Sequence, residues 1–254
     1  LATAGLTPAD LQTPPDFPLD EQERDAWVRS GRAPEPLAMN CSGKHAAMLA
    51  TCVLLGWPTT TYRAAEHPLQ QAVRATIERL SGETVGWTGV DGCGAPVMSL
   101  TVAGLARSMS SSVQAPAGAP ERRVADAMAA HPELIGGSRR DVTAFMRAVP
   151  GLVAKDGAEG VFVAALADGT GIALKVEDGS DRARQVALAA ILVSLNVEES
   201  SLSALATIPR TERTTMAAEA TSSSATSAAR FRSSAPSWDH RSPITVTRPS
   251  SPIR

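Results

Sequence analysis

The stretch from residue 161 to 177, VFVAALADGTGIALKVE, sets the tightest limit on what this chain can fold into. Two apolar runs, 161–167 and 172–177, flank Asp168-Gly169, a dipeptide suited to the positive-φ turn of a hairpin. A third run, 152–155, reads as a strand just before them. Strands joined by tight turns pair antiparallel. Beyond residue 177 the period changes. Asp178-Gly179-Ser180 turns into a predicted helix over 181–196, and Val186, Leu188, Ile191, Leu192 and Leu195 make it apolar enough to be largely buried. Helices laid on an antiparallel sheet give an α/β (α+β) class, not a doubly wound parallel one.

Upstream, punctuation residues mark the helices. Asn40 or Ser42 can cap a helix that runs to about Leu55 and stops at Gly56-Trp57-Pro58. His67-Pro68 opens another, with Leu69, Val73, Ile77 and Leu80 on one face and Gly82 at its end. Further helices are expected at 99–110, 120–130 and 139–147. The first 39 residues are Pro-rich, with room for short helices around Leu11 and over 21–28. From about residue 200 the composition shifts to Ser, Thr, Pro and Arg with no hydrophobic period, and from Leu202 onward seven Arg stand against three acids. The chain therefore divides into a domain over 1–200 and a low-complexity, disordered tail over 201–254. A frameshift that replaced the original end is the alternative source of such a tail.

A net charge of −2 predicts no nucleic-acid partner. No segment reaches the roughly 18–20 apolar residues that cross a bilayer, so no membrane role is expected. The opening LATAGLTPAD has neither the basic nor the apolar region of a signal peptide, and three cysteines are too few for a disulfide scaffold. A reducing, cytoplasmic setting follows. The start without methionine, in the style of a helix interior, hints at a fragment.

Residues 40–49, NCSGKHAAML, concentrate the chemistry. A phosphate loop needs G-x-x-x-x-G-K-[ST], but Ala38 stands at the first glycine and His45 after Lys44, so both ends fail. A Ser/Lys pair needs Ser-x-x-Lys, one helical turn; Ser42 and Lys44 are two apart, and no Ser-x-x-Lys occurs in residues 1–254. A metal site fits better. Cys41, Lys44 and His45 lie at i, i+3 and i+4, and thiolate and imidazole suit zinc. Cys93, in VDGCGAPV, sits between two glycines that let the backbone bend closely round a ligand. Cys52 lies roughly 16 Å further along the helix, too far to share an ion, and reads as a buried small hydrophobe. Spacing alone leaves that same reading open for Cys41 and Cys93.

Six segments together carry a specific resemblance: NCSGKHAAML, GWPTTTYRAAEHPLQQ, VDGCGAPV, HPELIGGSRR, AKDGAEGVFVAAL and IALKVEDGSDRARQVAL. In this order, over roughly residues 1–197, the chain resembles the asparaginase II family, the Rhizobium-etli-type L-asparaginases. The resemblance implies a serine β-lactamase/glutaminase-like fold and hydrolysis of L-asparagine to L-aspartate and ammonia. It implies zinc held by Cys41, Lys44 and Cys93, with His45 and Asp91 orienting ligands or substrate. It also implies Lys155, in KDGAEG, as the lysine paired with a serine, and a homodimer. Lys44 can donate a lone pair only if metal and burial keep it neutral.

One departure matters. The family's Ser-x-x-Lys nucleophile and a second serine lie upstream of position 1, and its Gly-rich end is absent after about Leu205. The expectation is a weakly active or inactive chain, or a non-catalytic zinc or amino-acid binding module. A generic structural domain would leave the Cys41/Cys93 pairing unexplained. His67 and His131, each before proline, read as helix-start or turn residues. Glu159 could partner Lys155, although a solvated turn is the plainer role. Arg139 and Arg182 could grip a substrate carboxylate or form surface ion pairs. A preference between asparagine and glutamine has no motif.

Overall fold

The computed structural model describes residues 1–202, 205, 227–230 and 243–247. They fall into two compact units, one of residues 1–79 and 83–100, the other of 80–82 and 101–254. Mixed helices and antiparallel sheets give the expected α/β class. No helix among the described residues is long and apolar enough to cross a membrane.

The first unit begins with short 3-10 turns at Ala2–Ala4 and Pro8–Asp10, then α1 (Glu21–Arg29), whose start Asp20 caps by accepting the Gln22 and Glu23 N–H groups. α2 (Ser42–Leu55) ends where Gly56 turns left-handed, as expected of a glycine C-cap. Its start differs from expectation. The cap position is Cys41, whose side chain makes no capping bond. α3 (Pro68–Ser81) has its proline at the first helical position. Buried His67 explains that entry: Nδ1 accepts the Leu69 N–H at 3.1 Å, so Nε2 donates to the Pro58 carbonyl at 2.9 Å. A two-stranded hairpin follows, β1 (Thr88–Val90) with β2 (Pro96–Met98). Its strands of three residues are too short to show alternation in the sequence. Leu11, Met48, Leu49, Cys52, Tyr62, Leu69, Cys93 and Ala95 form the core of this unit. Cys52 is fully buried there, as expected of a small hydrophobe.

The second unit holds α4 (Val102–Gln114), α5 (Pro120–Ala130), α6 (Pro132–Gly136) and α7 (Asp141–Ala148). Next come β3 (Val153–Asp156), β4 (Val161–Ala165), β5 (Gly171–Lys175), α8 (Arg184–Ser194) and α9 (Glu199–Leu202). β6 (Ser227–Arg230) and β7 (Pro243–Thr247) complete an antiparallel sheet of order β3-β4-β5-β7-β6. These two strands fall in the stretch expected to be a tail; the rest of that stretch, Leu202 and residue 205 apart, lies outside the described residues.

Alternation sorts the sheet into two buried faces. Ala154, Phe162, Ala164, Ile172 and Leu174 pack on Val142, Phe145 and Met146 of α7 and on Leu188, Ile191 and Leu192 of α8. The opposite face meets α4 and α5: Val153 and Ala165 pack with Val113 and Ala125, and Val163 and Ala173 with Ala106. A side chain at Gly171 would come within 2.3 Å of the Ala106 carbonyl oxygen, so α4 approaches the sheet only because that residue is glycine. With both faces covered, these strands read as continuous apolar runs instead of alternating ones.

Candidate metal and catalytic site

Two groups of chemistry-bearing residues stand out, one in each unit. In the first unit, the cap of α2 and the turn of the β1–β2 hairpin bring Cys41, Asp91 and Cys93 together. One donor atom from each lies within 4.8 Å of the others. The turn is set locally. The Gly94 N–H bonds the Asp91 carbonyl at 2.8 Å, and Gly94 has φ 84°, a left-handed value that favours glycine. A side chain there would also meet Arg63 Nη1 at 2.1 Å. Arg63 is held in turn by Gln12, whose Oε1 accepts from Nε at 2.9 Å.

Asp91 is the hinge of the group. Its Oδ1 accepts the Gly92 N–H at 2.9 Å, and its Oδ2 accepts the Cys93 thiol at 3.1 Å and faces Lys44 Nζ at 3.5 Å. Burial opposes charge on Asp91, but the Cys93 hydrogen bond and the Lys44 charge outweigh it and hold the carboxyl below its ordinary value. Burial pushes the Cys93 thiol up. For Lys44, burial works against the ammonium, yet Cys41, Cys93 and Asp91 prevail and hold it above the usual lysine value.

The shared helix face expected for Cys41, Lys44 and His45 does not converge on one point. Cys41 lies at the cap, outside the regular helix, while His45 turns into the core with no exposure. Its Nδ1 lies 2.6 Å from the Tyr62 hydroxyl, which also accepts the Gln12 N–H at 3.3 Å. Nε2 of His45 is buried with no hydrogen-bond partner among the described residues. Burial first, then the charges of Lys44 and Arg63, push the imidazole pKa down to about 4, so the ring is neutral near pH 7. Replacing Tyr62 with Phe strands a second buried ring nitrogen. The unfolding free energy should fall by about 2 kcal/mol in a urea titration. An unchanged midpoint and slope would contradict this role for the hydroxyl.

Sulfur and carboxylate donors on a partly buried, convergent frame make a group that could hold a metal ion.

In the second unit, Lys155 stands on β3, the outermost on its side of the described strands of the sheet. Its partner is not Glu159 but Asp156, at 2.7 Å to Oδ1 and 2.5 Å to the carbonyl oxygen. Glu159 has φ 57° and accepts Lys175 at its backbone oxygen. Asp156 Oδ2 also pairs with Arg140. Burial raises the Asp156 pKa, while Lys155 and Arg140 more than reverse this and leave it below the ordinary value. His131 is exposed beside Glu133, and Arg182 forms a surface pair with Asp178 at 2.5 Å, the plainer of the roles open to each.

Sequence reasoning missed Tyr62, Arg63, Arg140 and Asp156. All four lie in segments that carry the resemblance, but no motif marked them as individual residues. Ion pairs between distant elements leave no spacing signal.

Comparison with curated proteins finds no match. The L-asparaginase II family matches residues 1–225, which include the Cys41–His45 segment, the Asp91–Gly94 turn and Lys155. That match spans most of the sequence, and the chain belongs to the L-asparaginase II family.

Proposed function

We propose that the chain carries the site of an L-asparaginase, an amidohydrolase acting on the side-chain amide of L-asparagine. The observation that supports this most is the convergence of Cys41, Asp91 and Cys93 in a chain of this family. Cys41 and Cys93 would hold a zinc ion as thiolates with a neutral Lys44 as third ligand, and Asp91 accepts the Lys44 N–H. His45, neutral and fixed by Tyr62, supports the α2 end of the site. Zinc, when bound, supplies a positive charge that positions the substrate and polarises its carbonyl. Lys155 would carry the proton at Nζ: as a neutral amine it takes the proton of a serine whose oxygen attacks the amide carbon, and as an ammonium it returns it to the amide nitrogen, which leaves as ammonia when the C–N bond breaks; water then hydrolyses the acyl-serine to L-aspartate.

A second ligand arrangement also has support. Asp91 is already anionic and stands within donor range of both thiols, so it could bind the ion directly while Lys44 stays an ammonium. The family's implied homodimer and a cytoplasmic setting remain part of the reading.

No Ser-x-x-Lys occurs in residues 1–254, so the zinc-loaded chain should bind L-asparagine in a calorimetric titration yet release ammonia little above background. Ammonia release abolished by Cys41→Ala would show that the chain furnishes its own nucleophile. Neither zinc nor asparagine bound would contradict the proposal.

A further inference from the structure

Six charged groups of the second unit form one connected network. Arg184, 4% exposed, donates to both oxygens of the buried Asp141 carboxylate, from Nε at 2.6 Å and Nη2 at 2.9 Å. Its Nη1 reaches Asp181 at 2.7 Å, and Nη2 lies 3.8 Å from Asp156 Oδ2. Asp156 also takes Arg140 and Lys155. Three cations thus balance three carboxylates.

Strand geometry makes the Lys155 contact unusual. Consecutive strand residues point to opposite faces. Asp156 shares the face of Ala154, toward α7 and α8, where Arg140 and Arg184 stand; Lys155 starts on the other face, opposite Val163. Lys155 reaches Asp156 only by curling round the strand, on the side where no described strand pairs with β3. Two acceptors on one residue then fix its ammonium, the side-chain oxygen and the main-chain carbonyl. A cluster that served the fold alone would gain little from Lys155, whose side chain is 41% exposed.

We propose that Asp156 is the positioning residue of Lys155, with Arg140 and Arg184 holding the carboxylate in place. The network sets where the Lys155 nitrogen waits for the proton it exchanges. This inference rests on the reading of Lys155 as proton carrier given above.

The chain has only three lysines, Lys44, Lys155 and Lys175, so each can be followed separately. The test is acetylation of the folded full chain by a mild acyl donor, with the rate at each lysine read by peptide mass spectrometry. In Asp156→Asn, Lys155 should react about fivefold faster or more relative to Lys175, the scale of one lost charge-assisted hydrogen bond at a half-exposed site. Asp156→Glu should return most of that protection. Arg140→Gln, at a more exposed position, should give a smaller rise and serves if Asp156→Asn does not fold.

A Lys155 rate in both Asp156→Asn and Arg140→Gln that matches the unaltered chain overturns the inference. So does an equal rise at all three lysines, which marks general loosening. If Asp156→Asn frees Lys155 while Lys155→Ala leaves unchanged the ammonia released by a chain that does turn L-asparagine over, the anchor stands and the reading of Lys155 falls.

Discussion

Replacing Arg184 with alanine should lower the unfolding free energy by about 3–5 kcal/mol, the cost of leaving buried charges without their counter-charge. Arg184 opens α8, and its two bonds to Asp141 tie that helix to the first turn of α7. Both side chains are 4% exposed, so water cannot take over when one is removed. The loss spreads further, because Asp156 of β3 also stands near the guanidinium. Burial opposes the charge on Arg184, but Asp141, Asp181 and Asp156 together more than compensate. Arg182, two residues earlier, is the control. Its pair with Asp178 is largely in water, and Arg182→Ala should change stability by less than about 0.5 kcal/mol. Urea unfolding followed by circular dichroism measures both. An Arg184→Ala effect as small as that of Arg182→Ala would mean that the network contributes no stability.

Cys41→Ala and Cys93→Ala should each weaken zinc binding by about 100-fold or more, since each removes a thiolate from a small ligand set. Zinc that binds only the folded chain raises its stability by about 2.7 kcal/mol at a concentration 100 times Kd. That stabilisation should vanish in both variants at the same zinc concentration. Lys44→Met and Asp91→Asn identify the third ligand. With Lys44 as ligand, Lys44→Met falls with the cysteine variants, and Asp91→Asn loses about 10–100-fold, as an outer partner does. With Asp91 as ligand the order reverses. Cysteine variants that keep the zinc stabilisation would exclude the site.

The longer helices and strands β3–β5 were legible because single residues punctuate them, whereas β6 and β7 fall in the stretch read as a tail. Pro68 and Gly56 fix the start of α3 and the end of α2, and Asp168-Gly169 joins β4 to β5. The β1–β2 hairpin was not, because three-residue strands carry no period and its DGCG turn read as a ligand loop. For the site, the motifs singled out Cys41 and Cys93, which the fold brings together. Helical spacing misjudged His45. It treated Cys41 as a helical residue, whereas the cysteine is the cap and the histidine is drawn inward by Tyr62. For Lys155, the Gly-rich turn suggested Glu159. The actual partner is the next residue, which strand alternation places on the opposite face and which the lysine reaches on the side where no described strand pairs with β3. Arg140 and Arg184 meet Asp156 through tertiary packing, which no local pattern encodes.

The most direct test is native mass spectrometry of the chain equilibrated with zinc and L-asparagine, beside a Cys41→Ala/Cys93→Ala variant. The proposed site predicts one zinc per chain and an L-asparagine adduct, both lost in the variant. Zinc retained equally by the variant, or no zinc on the unaltered chain, would contradict it.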